Sequence, residues 1–454
     1  MKTHLVAAWF VGSSCLFGGT LADFLQAVYY DDEVKVGALL KQDADLLAPN
    51  ERGVTALGLA CQNGNARIVK MLLEQGADAA SRSGGEPVLT TAARTGNGDC
   101  VRLLLESGAP CDALSRGGQT ALMWAASEGN AGVVRLLLEE GADSDITLAS
   151  GFDALMFAVR AGQREVVAAF LENGADITKA YQPKRGGGAN MRSGTSPLML
   201  AIENGHLELA LDLVKAGADP DDQRSGFAPL HAISWVRKTV RGDGADGIPT
   251  PVIDGRLGTL EFVRELVVAG ADVNVRVEKG GGGRGRVHRQ GMTPFFMAAQ
   301  SGDLPLAKLL VELGADATLR NVQDTTPFLT AVGLGVLAPG EEQSLEEDAL
   351  AMAAYLLELG ADINHVDKNG ETAMHGAAYK SSPAMISFLD ENGHDIAIWN
   401  QKNKYGWTPL LIAQGFRPGN FRPIQYTEEA LEKVMRSHGV EPTPSPSPPP
   451  PGSH

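Results

Sequence analysis

Cysteine is scarce in this chain. Four occur in 454 residues, at positions 15, 61, 100 and 111, and no pair stands at a metal-ligand or haem-attachment spacing. Aromatic residues make up only 6 %. Basic residues are outnumbered, 39 Lys and Arg against 55 Asp and Glu, for a formal net charge of −16. That balance favours solubility and argues against broad nucleic-acid binding. Past the first two dozen residues no run is long and apolar enough to cross a membrane. HExxH, GxSxG and CxxCH are absent. "GLGVLA" from Gly333 follows a helical phrase where a dinucleotide loop would follow a strand. "GGGGRGR" lacks the lysine and hydroxyl of a phosphate loop, and "DGAD" lacks the closing glutamate of a calcium loop. No enzyme constellation remains, and neither a metal nor another cofactor is expected.

The first residues read as an export signal. "MKTH" is basic, "LVAAWFVGSSCLF" is apolar and "GGTLAD" is small, which places cleavage after Ala22. Lipid attachment at Cys15 is the lesser alternative, because "GSSC" lacks an apolar residue three positions earlier. The mature chain is then expected to be periplasmic or secreted. Cys61, Cys100 and Cys111 remain, and all three read as buried thiols.

Glycine is abundant, and its spacing carries the information. "TALMWAASEGNAGVVRLLLEEGAD" from Thr120 recurs as "DALMFAVRAGQREVVAAFLENGAD" from Asp153 and "TPFFMAAQSGDLPLAKLLVELGAD" from Thr293. Further copies start at Thr55, Pro87, Ser196, Ala228, Thr326, Thr372 and Thr408, and Ala22 to Asp45 is a divergent first copy. Pro87, Thr120 and Asp153 stand 33 residues apart. Thr or Ser before Pro marks a helix N-cap with proline in the first turn. A second helix carries apolar residues at i, i+3 and i+4, such as Val134, Leu137 and Leu138. Glycine then ends it, as at Gly141 and Gly314. One such pair cannot bury its apolar faces alone, so stability comes from stacking.

The phrase resembles the ankyrin repeat, and the resemblance covers nearly the whole chain. It implies an all-α ankyrin-repeat solenoid of about eleven helix-turn-helix repeats over residues 23–440, with β-hairpin fingers between repeats. Residues 1–22 are then the signal peptide and 441–454, "EPTPSPSPPPPGSH", an extended proline-rich tail. The family places a structural hydrogen-bonding histidine where His231 and His375 stand. Trp124, Phe157 and Met297 share one position in the first helix and read as core. The second half also resembles exported bacterial members of the family.

Departures from the period point to function. Helix start to closing glycine is 21 residues in seven copies, but 42 from Ala228 to Gly270 and 34 from Thr326 to Gly360. The link between paired helices has grown there, over Val236–Gly258 and Gly333–Asp348. The second of these carries the acidic "EEQSLEED" and is expected on the edge opposite the fingers. Junctions between repeats are usually 11 or 12 residues, but 22 from Gly174 to Ser196 and 23 from Gly270 to Thr293. These two enlarged fingers, "KAYQPKRGGGANMRSG" and "RVEKGGGGRGRVHRQG", are basic. Their bases are expected roughly 20 Å apart, from the spacing of stacked helices. The candidate partner-binding residues are Lys184, Arg185 and Arg192 in one, and Arg276, Lys279, Arg284, Arg286, His288 and Arg289 in the other. What the resemblance implies is a non-enzymatic scaffold holding a protein partner through its concave face and fingers. Arginine on the fingers suits an acidic patch on that partner. The alternatives are a binder of acidic polymers or glycans, or an accessory subunit of an exported enzyme. Nucleic acid fits poorly, since His288 is the only ring between Lys279 and Gly291.

Overall fold

The computed structural model describes residues 20–41, 44–182, 192–238, 250–281, 287–336, 344–417 and 422–442. Helix starts are set by side-chain caps. Thr55, Thr120, Asp153, Ser196, Thr293, Thr326 and Thr408 each accept the N–H three residues on, at 2.8 to 3.3 Å. Ala228 has no oxygen to offer. There the cap runs backwards: Nδ1 of His231 accepts the N–H of Ala228 at 3.1 Å. Its Nε2 lies 3.2 Å from the Met292 carbonyl in the next finger. His375 repeats the arrangement with Thr372 and the Trp407 carbonyl, each at 3.2 Å. Burial pushes both imidazoles down to about 4, so they are neutral connectors.

Second helices bury one apolar stripe. Ala131–Glu139 buries Val133, Val134 and Leu137, then stops at Gly141 with φ +86°. The Ala142 N–H returns to the Leu137 carbonyl at 2.9 Å, which satisfies an otherwise orphaned acceptor. Alanines at 125, 126, 298, 299, 377 and 378 are fully buried and let first helices approach closely.

The pairs sort into two compact units, Met1–Met191 and Arg192–His454. Among the described residues the first holds five helix pairs, from Thr20–Tyr29 with Glu33–Leu40 to Ala154–Arg160 with Arg164–Glu172. The second holds six, from Pro197–Glu203 with Leu207–Lys215 to Pro409–Ala413 with Gln425–Ser437. Neighbouring pairs in the first unit are stitched by amide side chains. Asn97 Nδ2 reaches the Gly64 carbonyl at 2.7 Å, and Asn130 Nδ2 reaches that of Ala93 at 2.9 Å. Helix Thr20–Tyr29 starts before Ala22, so cleavage after Ala22 would remove its first three residues. Cys15 and the tail from 443 lie outside the described residues.

Hairpin strands are fewer than the fingers lead one to expect. Among the described residues only Arg82–Ser83 and Glu86–Pro87 pair as strands, antiparallel. Several other fingers close as tight turns among the described residues, such as Asn321 N–H to the Thr325 carbonyl at 3.1 Å and Asn403 N–H to that of Trp407 at 2.9 Å. Turn side chains take the groups a ladder would use: Oδ1 of Asn321 accepts the N–H groups of Gln323 and Thr325, each at 2.9 Å.

Both long helix links differ from their sequence outline. Val236 and Arg237 stay helical, in Pro229–Arg237. The described end of that insertion docks on the preceding repeat, with Asp254 N–H to the Gly205 carbonyl at 3.2 Å and Asp254 against His206 at 2.7 Å. In the acidic link, Glu346, Glu347 and Asp348 form the first turn of helix Glu346–Glu358, where negative charge suits the helix dipole. Two of them are already engaged: Asp348 holds Lys238 at 2.8 Å, and Glu346 accepts the Ser382 hydroxyl.

Gly194 fixes the base of the first enlarged finger. Its φ is +88°, and a Cβ there would stand 2.1 Å from the Arg224 carbonyl oxygen. Gly217, at φ +104°, has open space around it. Gly194→Ala is therefore expected to cost about 2–4 kcal/mol, and Gly217→Ala about 1–2 kcal/mol from backbone strain alone. Urea denaturation of the two variants checks the order. Equal losses would mean the carbonyl simply moves aside.

Candidate functional site

The seventh residue after the helix starts at Pro87, Asp153 and Ala228 lies in the last turn of the first helix. In the first unit Arg94 and Arg160 occupy it, and both are exposed. Arg94 lies over the ring of Trp124 at 5.4 Å, and Arg160 over Phe152 at 5.8 Å. Phe152 in turn meets Phe157 at 5.3 Å and Tyr181 at 5.7 Å, both edge-on. Trp124 and Phe157 are only half-buried, unlike Met297, which is buried at the equivalent position. The two rings are thus partly surface; Arg94 covers Trp124, while Arg160 covers Phe152, the buried neighbour of Phe157.

The second unit carries the denser cluster. Phe227 ends the turn before helix Pro229–Arg237, and Trp235 is the seventh residue of that repeat. Their rings meet edge-on at 5.3 Å. Arg192, from the base of the first enlarged finger, lies 5.1 Å over Phe227 and 5.0 Å over Trp235. Its Nη1 donates to Glu203 at 3.0 Å. Glu203 is also held by the Trp235 indole; burial pushes its carboxyl up, against the pull of both partners. Arg289, from the second enlarged finger, lies 5.8 Å over the same Phe227.

The two guanidinium carbons therefore lie within about 11 Å of each other. The roughly 20 Å expected between finger bases follows from helix spacing. The long side chains close much of that gap by leaning onto the ring of the intervening turn.

The other candidate residues have different surroundings. Arg276 is spent on the fold: Nε donates to the Gly291 carbonyl at 3.3 Å, and Nη2 to that of Arg320. Nδ1 of His288 accepts the Gln290 N–H at 3.3 Å, and its carbonyl accepts Asn321 Nδ2 at 2.8 Å. Lys279 is exposed. Lys184, Arg185, Arg284 and Arg286 lie outside the described residues. The sequence reading passed over Phe227, Trp235 and Glu203. The signal was there: a phenylalanine just before a helix start and a tryptophan seven residues after it.

Among the described residues no group of His, Cys, Asp and Glu is placed to hold a metal ion, and no helix is long and apolar enough to cross a membrane. Cys61 and Cys100 are buried and Cys111 half-buried, all as free thiols. Burial pushes Cys100 up to about 11 and raises the other two, so none is an activated nucleophile.

Comparison with known proteins agrees with this geometry. A model of ankyrin repeats in three copies matches residues 24–115 and 107–181, a single-repeat model matches 193–225 and 290–322, and a many-copy model matches 345–389. Alpha-latrotoxin-Lg1a of Latrodectus geometricus is 31% identical over 33% of this chain, which spans only 10% of the toxin. The ankyrin repeat protein YahD of Escherichia coli (strain K12) is 28% identical over 41% of this chain and 77% of its own length. The ankyrin repeat protein FPV230 of Fowlpox virus (strain NVSL) is 30% identical over 27% of this chain and 74% of its own length. Caps, closing glycines, stacked pairs and these matches lead to one conclusion: the chain belongs to the ankyrin-repeat family, with an all-α repeat fold.

Proposed function

We propose that this protein is a non-enzymatic scaffold that holds a protein partner on the face formed by its first helices and finger bases. The observation carrying this reading is an arginine lying over an aromatic ring in or just before a first helix, in both units: over the half-exposed Trp124 and Trp235 and over the buried Phe152 and Phe227. Trp, Tyr and Arg dominate the energetics of protein interfaces. A ring partly in water with a cation on its face is also a poor core residue. The basic, apolar and small-residue start of the chain supports export, as in the bacterial members it resembles.

The test is affinity capture by the purified full chain, comparing wild type with Trp124→Ala, Arg160→Ala and the finger variant Arg289→Gln. A specific partner should lose at least tenfold in affinity with Trp124→Ala, while helicity by circular dichroism stays unchanged. If every variant retains its partner equally, the binding face is elsewhere. Mass analysis of the same preparation reads the N-terminus, with Asp23 expected as the first residue after export.

A further inference from the structure

We infer that Glu371 is a proton-operated latch in the second unit: as the neutral acid it holds the last finger, residues 403–407, against the repeat before it, and as the carboxylate it lets that finger open. Partner binding plays no part in this device, and the scaffold reading stands or falls without it.

The finger turns show which part yields. Asn321, Asp367 and Asn403 open three successive turns with the same internal bonds. Each turn donates one amide to the finger before it: Val322 to the Gln290 carbonyl at 3.1 Å, Lys368 to that of Gln323 at 3.0 Å and Lys404 to that of Asn369 at 2.7 Å. The next acceptor in the series, the Tyr405 carbonyl, has no hydrogen-bond partner among the described residues. In this ladder the last finger is held from one side only, and elements with few contacts open first. It carries the stacked rings of Tyr405 and Trp407, 4.9 Å apart and half-buried, whose exposure changes when it opens.

Two buried carboxyls lie beside that finger, and they are furnished differently. Asp367 is 5 % exposed and accepts four donors. The N–H groups of Asn369 and Glu371 reach its Oδ1 at 2.8 and 3.0 Å, and the Thr325 hydroxyl and Asn369 Nδ2 reach its Oδ2 at 2.9 and 3.1 Å. That set suits an anion. Glu371, equally buried, has only Asn403 Nδ2 at 2.9 Å and the Tyr379 hydroxyl at 3.3 Å, both on Oε1, and its Oε2 is unpartnered. A second charge beside Asp367 would stand where half of it meets no donor. Asn403 couples this defect to the finger. Its Oδ1 accepts the Tyr405 and Trp407 N–H groups at 2.9 and 3.0 Å, while its Nδ2 holds Glu371. Lifting the finger admits the water that a carboxylate at Oε2 requires.

The neighbouring groups leave the change of charge to Glu371. Asp367 faces it from its own finger, Tyr379 from helix Ala373–Lys380 and Lys404 from the last finger, with Tyr405 beyond Tyr379. Lys404 Nζ donates to Asn369 Oδ1 at 2.6 Å. His375 Nε2 lies 3.2 Å from the Trp407 carbonyl, and Arg417 donates to the Tyr379 carbonyl at 2.9 Å. Burial, then Asp367, pushes Glu371 up to about 8. Burial keeps the Tyr379 phenol well above its usual range and His375 down near 4. The finger is therefore latched below about pH 8 and opens above it.

Hydrogen exchange read by mass spectrometry tests this on the full chain. Wild type and Glu371→Gln are compared at the same pH, so that base-catalysed exchange cancels. All five amides of residues 403–407 are hydrogen-bonded when the finger is closed. At about pH 6.5 they should be protected alike in the two proteins. At about pH 9, one unit above the transition, the carboxylate is favoured about tenfold. The wild-type finger should then have lost its protection, while that of the variant exchanges at least tenfold more slowly. Helix Pro294–Gln300 should stay protected in both, which separates local opening from unfolding. Tyr379→Phe removes one donor to the carboxylate, so its transition should lie above that of wild type. Should the glutamine variant fold poorly, the wild-type transition, read against that helix, still decides. Equal finger protection in the two proteins at about pH 9 would overturn the latch. So would a finger unprotected at about pH 6.5, loss of protection in Pro294–Gln300 together with the finger, or a transition moved down by Tyr379→Phe.

Discussion

Replacing Asp303 by alanine is expected to cost the second unit about 3–5 kcal/mol, the range for breaking one side of a buried ion pair. Asp303 is 1 % exposed. Its carboxylate does two jobs. It caps helix Leu304–Glu312 by accepting the Leu306 N–H at 3.2 Å, worth about 1 kcal/mol. It also accepts Arg237 Nε at 2.6 Å and Nη2 at 3.1 Å. Alanine removes both, and the larger loss is the guanidinium left without its counter-ion in a part-buried place. Arg237 keeps only its contact with Thr259. Asp303→Asn retains the cap and one acceptor, so it should lose less, about 1–3 kcal/mol. Because each repeat is stabilised by its neighbours, the damage should spread to the repeats on either side. Urea denaturation followed by circular dichroism reads the difference. A loss under about 0.5 kcal/mol for the alanine variant, the range of an ordinary surface change, would show that the pair contributes nothing net.

That ion pair also marks the boundary of what can be read from the chain. The period, the Thr-Pro helix starts and the closing glycines depend on contacts within a repeat and are legible; the structural histidines are legible from the repeat phrase around them, although the far contact of His231 spans 61 residues and that of His375 only 32. Arg237 and Asp303 are 66 residues apart because an insertion intervenes; Lys238 and Asp348 are 110 apart for the same reason. An insertion breaks the offset that makes equivalent positions comparable. "EEQSLEED" looks like a solvated acidic face, yet Asp348 and Glu346 are counter-ions and acceptors for other repeats. The binding face shows the same limit. Basic fingers are visible as composition, but what each arginine touches is not: Arg276 donates to two carbonyls, Arg192 pairs with Glu203, and Arg192 and Arg289 share a ring on a turn that belongs to neither finger. A side chain as long as arginine reaches into the next repeat, and periodicity records only where its Cα stands.

The second unit should also lose stability on the alkaline side of neutrality, and Glu371→Gln should abolish that loss. Glu371 is 5 % exposed. Oε1 accepts Asn403 Nδ2 at 2.9 Å and the Tyr379 hydroxyl at 3.3 Å, while Oε2 is buried with no hydrogen-bond partner. Burial, and then the neighbouring Asp367 carboxylate, push Glu371 up to about 8; Asn403, Tyr379 and Lys404 pull the other way. The folded state therefore binds this proton more tightly than the unfolded chain, whose glutamate titrates near 4.5. The stabilisation is complete below 4.5 and declines by about 1.4 kcal/mol per pH unit until about 8. His231, His375 and His394 act in the opposite sense. Burial holds each down near 4, so the folded state resists protonation and gains stability as pH rises to about 6.5. Three histidines outweigh one glutamate between 4 and 6.5, and above 6.5 the glutamate acts alone. Stability should therefore peak near pH 6.5 and fall by about 2 kcal/mol by pH 8 to 8.5. Glutamine has the shape of the neutral acid and no proton to lose, so the variant should stay level over that interval and keep the acid limb. Urea midpoints measured from pH 4 to 9 decide it: parallel curves for wild type and Glu371→Gln above pH 6.5 would mean that the carboxyl ionises without cost, relieved by water at Oε2.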